Sequence, residues 1–359
     1  MPDTAPTAAV RSNATVAPAA LAEALARQPR VPLAHLPTPL EPCPRLSAAL
    51  GGPDILVKRD DCTGLAFGGN KVRQHEFLFA AALAAGADTV VLGAGTQSNW
   101  CRQASAAAAK LGLKVALVLV HGVKGPMIQG NLLLDRVLDA DVTVIPGTDL
   151  EVLPAHLAAR AEALRAEGRK PYVFGWADVT TQAIGALGYV NAVLELYAQL
   201  QAMGRAADHI YLAGFDVTPT GVLYGVRALG LGARVVAINP LRTSVARPVE
   251  MARIAGGIGE RLGLPLGLTP ADVTSTDDFI GPGYGILTPA AREAILMAGR
   301  TEGLILDPVY TSKAMAGLID HVRKGIVRKG ETVVFIHTGG TPALFAYADD
   351  LALGLRDDG

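Results

Sequence analysis

From Pro32 onward, short runs of β-branched and aliphatic residues alternate with longer stretches in which apolar positions recur every three or four residues. Ile55–Lys58, Thr89–Leu92, Val115–Val120, Val142–Ile145, Tyr172–Phe174, His209–Ala213, Arg234–Ile238 and Val333–His337 have the length and composition of strands. Between them, Lys71–Ala85, Asn99–Leu111, Gly130–Asp139, Leu150–Glu167, Ile184–Met203 and Gly221–Gly230 read as helices. Several strands are apolar almost without interruption, the pattern of a parallel sheet covered by helices on both faces. The alternation predicts a doubly wound α/β architecture. There is no internal repeat and no heptad pattern.

The first thirty residues stand apart. Met1 to Pro18 is rich in Ala, Pro and Thr and lacks the apolar core of a signal peptide. Ala19 to Gln28 has the pattern of a short helix, and residues 1–30 are expected to form a flexible or partner-contacting extension. The most apolar runs elsewhere are only strand-length, so no membrane span is expected. The chain has 359 residues, half of them hydrophobic and 18% charged, enough for two lobes and a sizeable core. A net charge of −1 offers no electrostatic case for nucleic acid or an anionic membrane. Cys43, Cys62 and Cys101 are odd in number and lack CxxC or metal-like spacing, which argues against a disulfide framework and for a reducing cytoplasm, with no metal expected.

Three stretches carry candidate chemistry. In Lys58–Arg73 an extended run gives way to acidic turn residues, the pair Gly68-Gly69, Asn70, and then a helix beginning at Lys71. The positive end of the helix dipole disfavours a cation there. That field, with burial, lowers an amine's pKa, as a Schiff-base nucleophile requires. The other reading of these residues alone is a solvated surface lysine. Gly93–Asn99 joins a strand to a helix, so Ser98 or Asn99 is a natural N-cap, and the free amides behind it suit an anion. Ile336–Ala343 is likewise a strand end turning into a helix, and His337 reads as a satisfied histidine at the strand end.

Asp60-Asp61-Cys62-Thr63-Gly64-Leu65 followed by Gly68-Gly69-Asn70-Lys71 resembles the cofactor-lysine segment of the D-cysteine desulfhydrase and 1-aminocyclopropane-1-carboxylate deaminase family, among the fold-type II, tryptophan synthase β-like, pyridoxal-phosphate enzymes. The similarity runs from about His35 to about Tyr347. It implies two open, twisted, mostly parallel sheets flanked by helices, with a small domain of residues 75–185 set into a large one of residues 31–74 and 186–359. It also implies pyridoxal 5′-phosphate as cofactor, a small amino acid as substrate and a homodimer. Lys71 would carry the Schiff base, with Asn70 beside it. Ser98 would touch the substrate as carboxylate ligand or proton relay, and Asn99 would bond the cofactor's phenolic oxygen. Gln97, Trp100 and Thr311 would help enclose the substrate. Trp100 stands where many members have His. Thr338 resembles the hydroxyl that meets the pyridine nitrogen, favouring an unprotonated ring. Tyr284 and Tyr310 would act as a tyrosine relay.

The chain also departs from the family pattern. The family's phosphate cup, a loop of Gly, Ser and Thr before a helix, matches Ala213–Gly221. There Gly214, Thr218 and Gly221 survive, but Phe215-Asp216-Val217 replaces small residues and Pro219 has no N–H to donate. The family's Gly-Gly-Ser-Asn-Pro segment appears as Gly175-Trp176-Ala177-Asp178-Val179-Thr180-Thr181. Deaminases of the family have Glu directly after the second tyrosine, where this chain has Thr311. The resemblance therefore implies an α,β-elimination, from D-cysteine, L-cysteate or a relative, giving pyruvate and ammonia. The alternatives are a cyclopropane-opening deaminase, an amino-acid racemase, or a non-catalytic paralogue with a degraded phosphate site.

Overall fold

The computed structural model describes residues 16–175, 178–214 and 216–353. Ten strands are present among them: β1 Leu40–Pro42, β2 Asp54–Lys58, β3 Thr89–Gly95, β4 Lys114–Val120, β5 Asp141–Ile145, β6 Pro171–Val173, β7 His209–Ala213, β8 Arg234–Ile238, β9 Thr274–Thr276 and β10 Thr332–Ile336. They form a six-stranded sheet in the order β1-β2-β10-β7-β8-β9 and a four-stranded sheet in the order β5-β4-β3-β6. Every pairing is parallel except β1 with β2. The four-stranded sheet is drawn wholly from residues 89–173, and the larger sheet from the chain on either side.

All eight expected strands exist. The two unexpected ones lie at the edges of the large sheet and are three residues long. β1 contains Pro42 and β9 is Thr-Ser-Thr, so neither shows an apolar run. An edge strand can carry Pro because one side of it needs no donor. The central strand β10 places Ile336 opposite both Lys58 and Leu212. Its Val333, Val334 and Phe335 are fully buried, as helices on both faces require.

Two helices begin earlier than their pattern suggests. The helix expected from Ile184 starts at Val179, because Asp178 accepts the Thr181 N–H and hydroxyl, each at 2.8 Å. The helix expected from Gly221 starts at Val217, capped by Asp216. In both, a side-chain cap outweighs the poor helix propensity of Val and Thr, and Pro219 is tolerated in the first turn. Further helices outside the expected set include Arg247–Leu262 and Pro289–Glu302. The first buries Met251, Ile254, Ala255, Ile258 and Leu262, a helical spacing that Gly256, Gly257 and Gly259 obscure.

The helices between the sheets pack closely. A side chain at Gly188 would place Cβ 2.3 Å from the Arg73 carbonyl oxygen, so the helices Lys71–Ala84 and Val179–Ala202 cross nearly backbone to backbone. Residues 1–15 of the expected extension lie outside the described residues. The remainder is packed rather than loose: the helix Pro18–Ala26 buries Leu21, Ala24 and Leu25 against the helix Val179–Ala202. Arg30 pairs with the buried Glu76. Among the described residues no helix is long and apolar enough to cross a membrane, and no group of three His, Cys, Asp or Glu side chains could hold a metal ion.

Candidate active site

The carboxyl ends of β3, β7 and β10 open on one cavity of about 930 Å³, lined by Asn70, Lys71, Ser98, Asn99, Trp100, Gly214, Thr218, Tyr284, Tyr310 and Thr338 among others. In parallel α/β sheets, strand ends are where ligands bind, because the following helices present their amides there.

Lys71 is the first residue of its helix, and Asn70 before it makes no capping bond with its side chain. The field of the helix start is therefore left to act on the amine. Burial holds the Lys71 ammonium well below the usual lysine range, with Asp216 pulling the other way. Trp100 lies alongside, its ring centre 5.8 Å from Nζ.

The loop that delivers this lysine is fixed from several directions. Thr63 Oγ1 accepts the Gly69 N–H at 2.8 Å, and the Thr338 carbonyl accepts the Asn70 N–H at 2.9 Å. Gly68 and Gly69 have φ of 64° and 122°, and a Cβ on Gly69 would come within 2.5 Å of the Gln103 amide. The Gly68 carbonyl accepts from Gln103 Nε2 at 2.8 Å and from Arg102 at 3.1 Å. Arg102 and Gln103, just beyond the second stretch, thus clamp the first, a role no sequence spacing revealed. Below the loop, Arg73 forms a two-point ion pair with Asp60 at 2.8 and 2.9 Å and also binds Glu195 at 3.1 Å. Tyr189 Oη donates to Asp60 at 2.5 Å, and Lys58 pairs with Glu195.

Ser98 caps its helix by accepting the Cys101 N–H at 3.2 Å, and it also faces the cavity, so the structural and functional readings coexist. Asn99 Oδ1 accepts from Asn131 Nδ2 at 2.9 Å and from Arg102 Nη2 at 3.4 Å. With its oxygen so engaged, the Asn99 amide is turned to present its N–H groups to the cavity. Asn131 also donates to the Gln97 carbonyl at 2.8 Å. It is a positioning residue that the sequence reading missed, because it lies on a helix 32 positions away.

Thr218 Oγ1 accepts from Asn70 Nδ2 and Gln74 Nε2, both at 2.8 Å. Both its lone pairs are used, which leaves the hydroxyl proton to donate. Tyr284 and Tyr310 share a hydrogen bond of 2.6 Å between their hydroxyls. Burial pushes Tyr284 up to about 12 and holds Tyr310 well above the ordinary tyrosine range, so both phenols hold their protons at neutral pH. His337 is a satisfied strand-end histidine: Nε2 meets the Ile305 carbonyl at 3.1 Å, and Nδ1 accepts the Gly339 N–H at 3.2 Å.

Three expected site residues do not reach the cavity. Gln97 turns to the neighbouring helix, accepting the Asn131 N–H at 2.9 Å and donating to the Gln129 carbonyl at 3.0 Å. Thr311 is buried and bonded to Asp307, whose carboxylate also receives the N–H groups of Val309, Tyr310 and Thr311. Gly221 sits one turn inside its helix, where a Cβ would lie 2.4 Å from the Ala186 carbonyl oxygen; its smallness serves helix packing. Gly214, with φ of 159°, does line the cavity. Phe215, Trp176 and Ala177 of the two altered loops lie outside the described residues.

Residues 31–339 match the family model described as "Pyridoxal-phosphate dependent enzyme". The chain is 40% identical over 332 residues to a 1-aminocyclopropane-1-carboxylate deaminase of Methylobacterium sp. (strain 4-46), covering 90% of this chain and 98% of that one. The chain belongs to the 1-aminocyclopropane-1-carboxylate deaminase family of pyridoxal-phosphate-dependent enzymes. A deaminase of the same name from Burkholderia vietnamiensis (strain G4 / LMG 22486) is 40% identical over 333 residues, with the same coverage. The solved structure titled "Crystal Structure Analysis of the ACC deaminase homologue" superposes with a TM-score of 0.83 at 37% identity, covering 92% of this chain and 98% of that chain. The processed form of threonine deaminase isoform 2 from Solanum lycopersicum, at 16% identity and TM-score 0.65, covers 98% of this chain and 93% of that one and shares the fold.

The cofactor of this family is pyridoxal phosphate, and the residues present fit it. Lys71 offers an amine whose pKa burial lowers. Asn99 has an amide already aimed at the cavity, Thr338 a hydroxyl on its wall, and Thr218 a hydroxyl at a helix start. The fit is closest around the amine and loosest at the start of the helix Val217–Ala228, where Asp216 already holds the first amide.

Proposed function

We propose that this pyridoxal-phosphate-dependent enzyme deaminates 1-aminocyclopropane-1-carboxylate, releasing ammonia and 2-oxobutanoate. When bound, the cofactor supplies a Schiff-base attachment and a conjugated ring that accepts electrons from the substrate's Cα. Lys71 would hold the cofactor, and its amine, whose pKa burial lowers, would serve as a base within the cavity. Ser98 and the first amides of the helix Asn99–Leu111 receive the substrate carboxylate. Asn99 would help to hold the cofactor through its amide, and Thr338 would offer it a hydroxyl from the cavity wall. A cyclopropane amino acid has no hydrogen on Cα, so opening its ring calls for a proton delivered to the carbon released. The bonded phenols of Tyr284 and Tyr310 supply one, and their raised pKa values keep them protonated until then.

The observation that carries this reading is the convergence of the Lys71 amine and the Tyr284–Tyr310 hydroxyl pair on one cavity, in a chain 40% identical to deaminases of that name. The carbon–sulfur elimination expected from the sequence is the second reading. It is favoured by Thr311, which offers no carboxylate after Tyr310 and is turned into the Asp307 cap. The test is turnover of 1-aminocyclopropane-1-carboxylate and of D-cysteine by the loaded protein, following ammonia, 2-oxobutanoate, pyruvate and sulfide. Ammonia with 2-oxobutanoate is the expected result. Sulfide and pyruvate from D-cysteine, with no opening of the ring substrate, would overturn it.

A further inference from the structure

The helix Val217–Ala228 begins on the wall that also carries Lys71, and its first amide is already occupied. Asp216 is its N-cap, and its carboxylate accepts the Val217 N–H. Pro219 has no N–H, and the Thr220 N–H turns back to the Asp216 carbonyl at 3.0 Å. Among the described residues of this first turn, Thr218 alone keeps both an amide and a hydroxyl for a ligand.

Four charged or titratable groups act on Asp216 from the elements around it. Lys71 comes from the helix Lys71–Ala84, Arg247 and Glu250 from the helix Arg247–Leu262, and Tyr310 from the turn before the helix Thr311–Arg323. Burial raises the pKa of the Asp216 carboxyl, against the pull of Lys71, the Val217 amide and Arg247.

We propose that Asp216 stands where the cofactor's phosphate must bind, so that carboxylate and phosphate compete for the Val217 amide and this residue sets how strongly the protein prefers the phosphorylated cofactor over its dephosphorylated form. The phosphate carries nearly two negative charges above about pH 7. It is admitted only when the Asp216 carboxyl takes up a proton or swings off the amide. A bound phosphate raises the carboxyl's pKa further, so binding consumes a proton and weakens as the pH rises.

The experiment titrates the apo-protein with pyridoxal phosphate and with pyridoxal, by visible absorbance, at pH 7, 8 and 9, in the wild type and Asp216→Asn. Asn keeps the helix cap and removes the charge. The variant is expected to bind pyridoxal phosphate at least about tenfold tighter than the wild type, since removing one unit of repulsion at a few ångströms outweighs a factor of ten. Its affinity for pyridoxal should rise far less, only through the loss of Asp216's upward pull on the Lys71 pKa. The wild type's preference for the phosphorylated form should fall from pH 7 to 9, and the variant's should not. Asp216→Ser, which also caps a helix, replaces the first variant if that one does not fold. Unchanged or weaker binding of pyridoxal phosphate in a folded variant would overturn the proposal, as would an equal gain for both aldehydes.

Discussion

Two helix starts stand side by side on the cavity wall, bonded through Asn70 and Thr218, and the chain treats them in opposite ways. At Lys71 the cap residue Asn70 makes no side-chain capping bond and gives its amide to Thr218, so the helix field falls on an amine. At Val217 the cap residue is Asp216, whose carboxyl group closes the amide. Both ends are joined through Thr218, which accepts from Asn70 and Gln74 together. A helix start is a general-purpose positive site; whether it lowers an amine's pKa or is neutralised by a cap depends on a single neighbouring side chain.

The sharpest way to break this comparison is Lys71→Ala. Turnover should fall by about 10³-fold or more, and borohydride should no longer fix the cofactor to the protein. Retained turnover, with no label at this position, would remove Lys71 from the chemistry. The next largest effect concerns the platform beneath the lysine. Arg73→Met leaves Asp60 as a buried carboxylate without its ion-pair partner and Glu195 with Lys58 alone. Stability should drop by about 3–5 kcal/mol, read from the thermal midpoint of the apo-protein. A midpoint unchanged within error would mean that the ion network contributes nothing to holding the lysine loop. The smallest effect is expected at the other altered loop. Asp178→Ala removes a cap of the helix Val179–Ala202 and should cost about 1 kcal/mol, with cofactor affinity unaltered. A large loss of cofactor binding there would show that Asp178, like Asp216, belongs to the site.

Much of this arrangement was legible along the chain. The eight longer strands showed themselves because burial on both faces demands continuous apolar runs. Lys71 was legible because Gly68 and Gly69 announce a backbone that ordinary residues avoid. Ser98 was legible as a cap. By contrast, Gln97 and Thr311 looked like substrate contacts only through their neighbours in sequence. Alternate positions on a turn point in different directions, and each found a partner in a separate element. Asn131, Gln74 and the Arg102–Gln103 clamp escaped notice because their partners lie far along the chain and no local spacing encodes the pairing. Asp178 and Asp216 read as intrusions into glycine-rich loops. Their effect as caps, which start two helices early, becomes visible only when the backbone amides are placed.

The sequence by itself determined the alternation of strands and helices, the lysine at a helix start and the polar residues at the strand ends. All of these follow from local periodicity, propensity and capping, which act over a few residues. Tertiary structure alone decided which of those ends share a cavity, which side chains turn into it, and which way the Asn99 amide faces. It also decided that a carboxylate stands at the second helix start within the reach of Lys71. These features depend on the approach of elements more than a hundred residues apart, such as Asn70 and Thr218, and on the suppression of charge by burial, which no single stretch of the chain can specify.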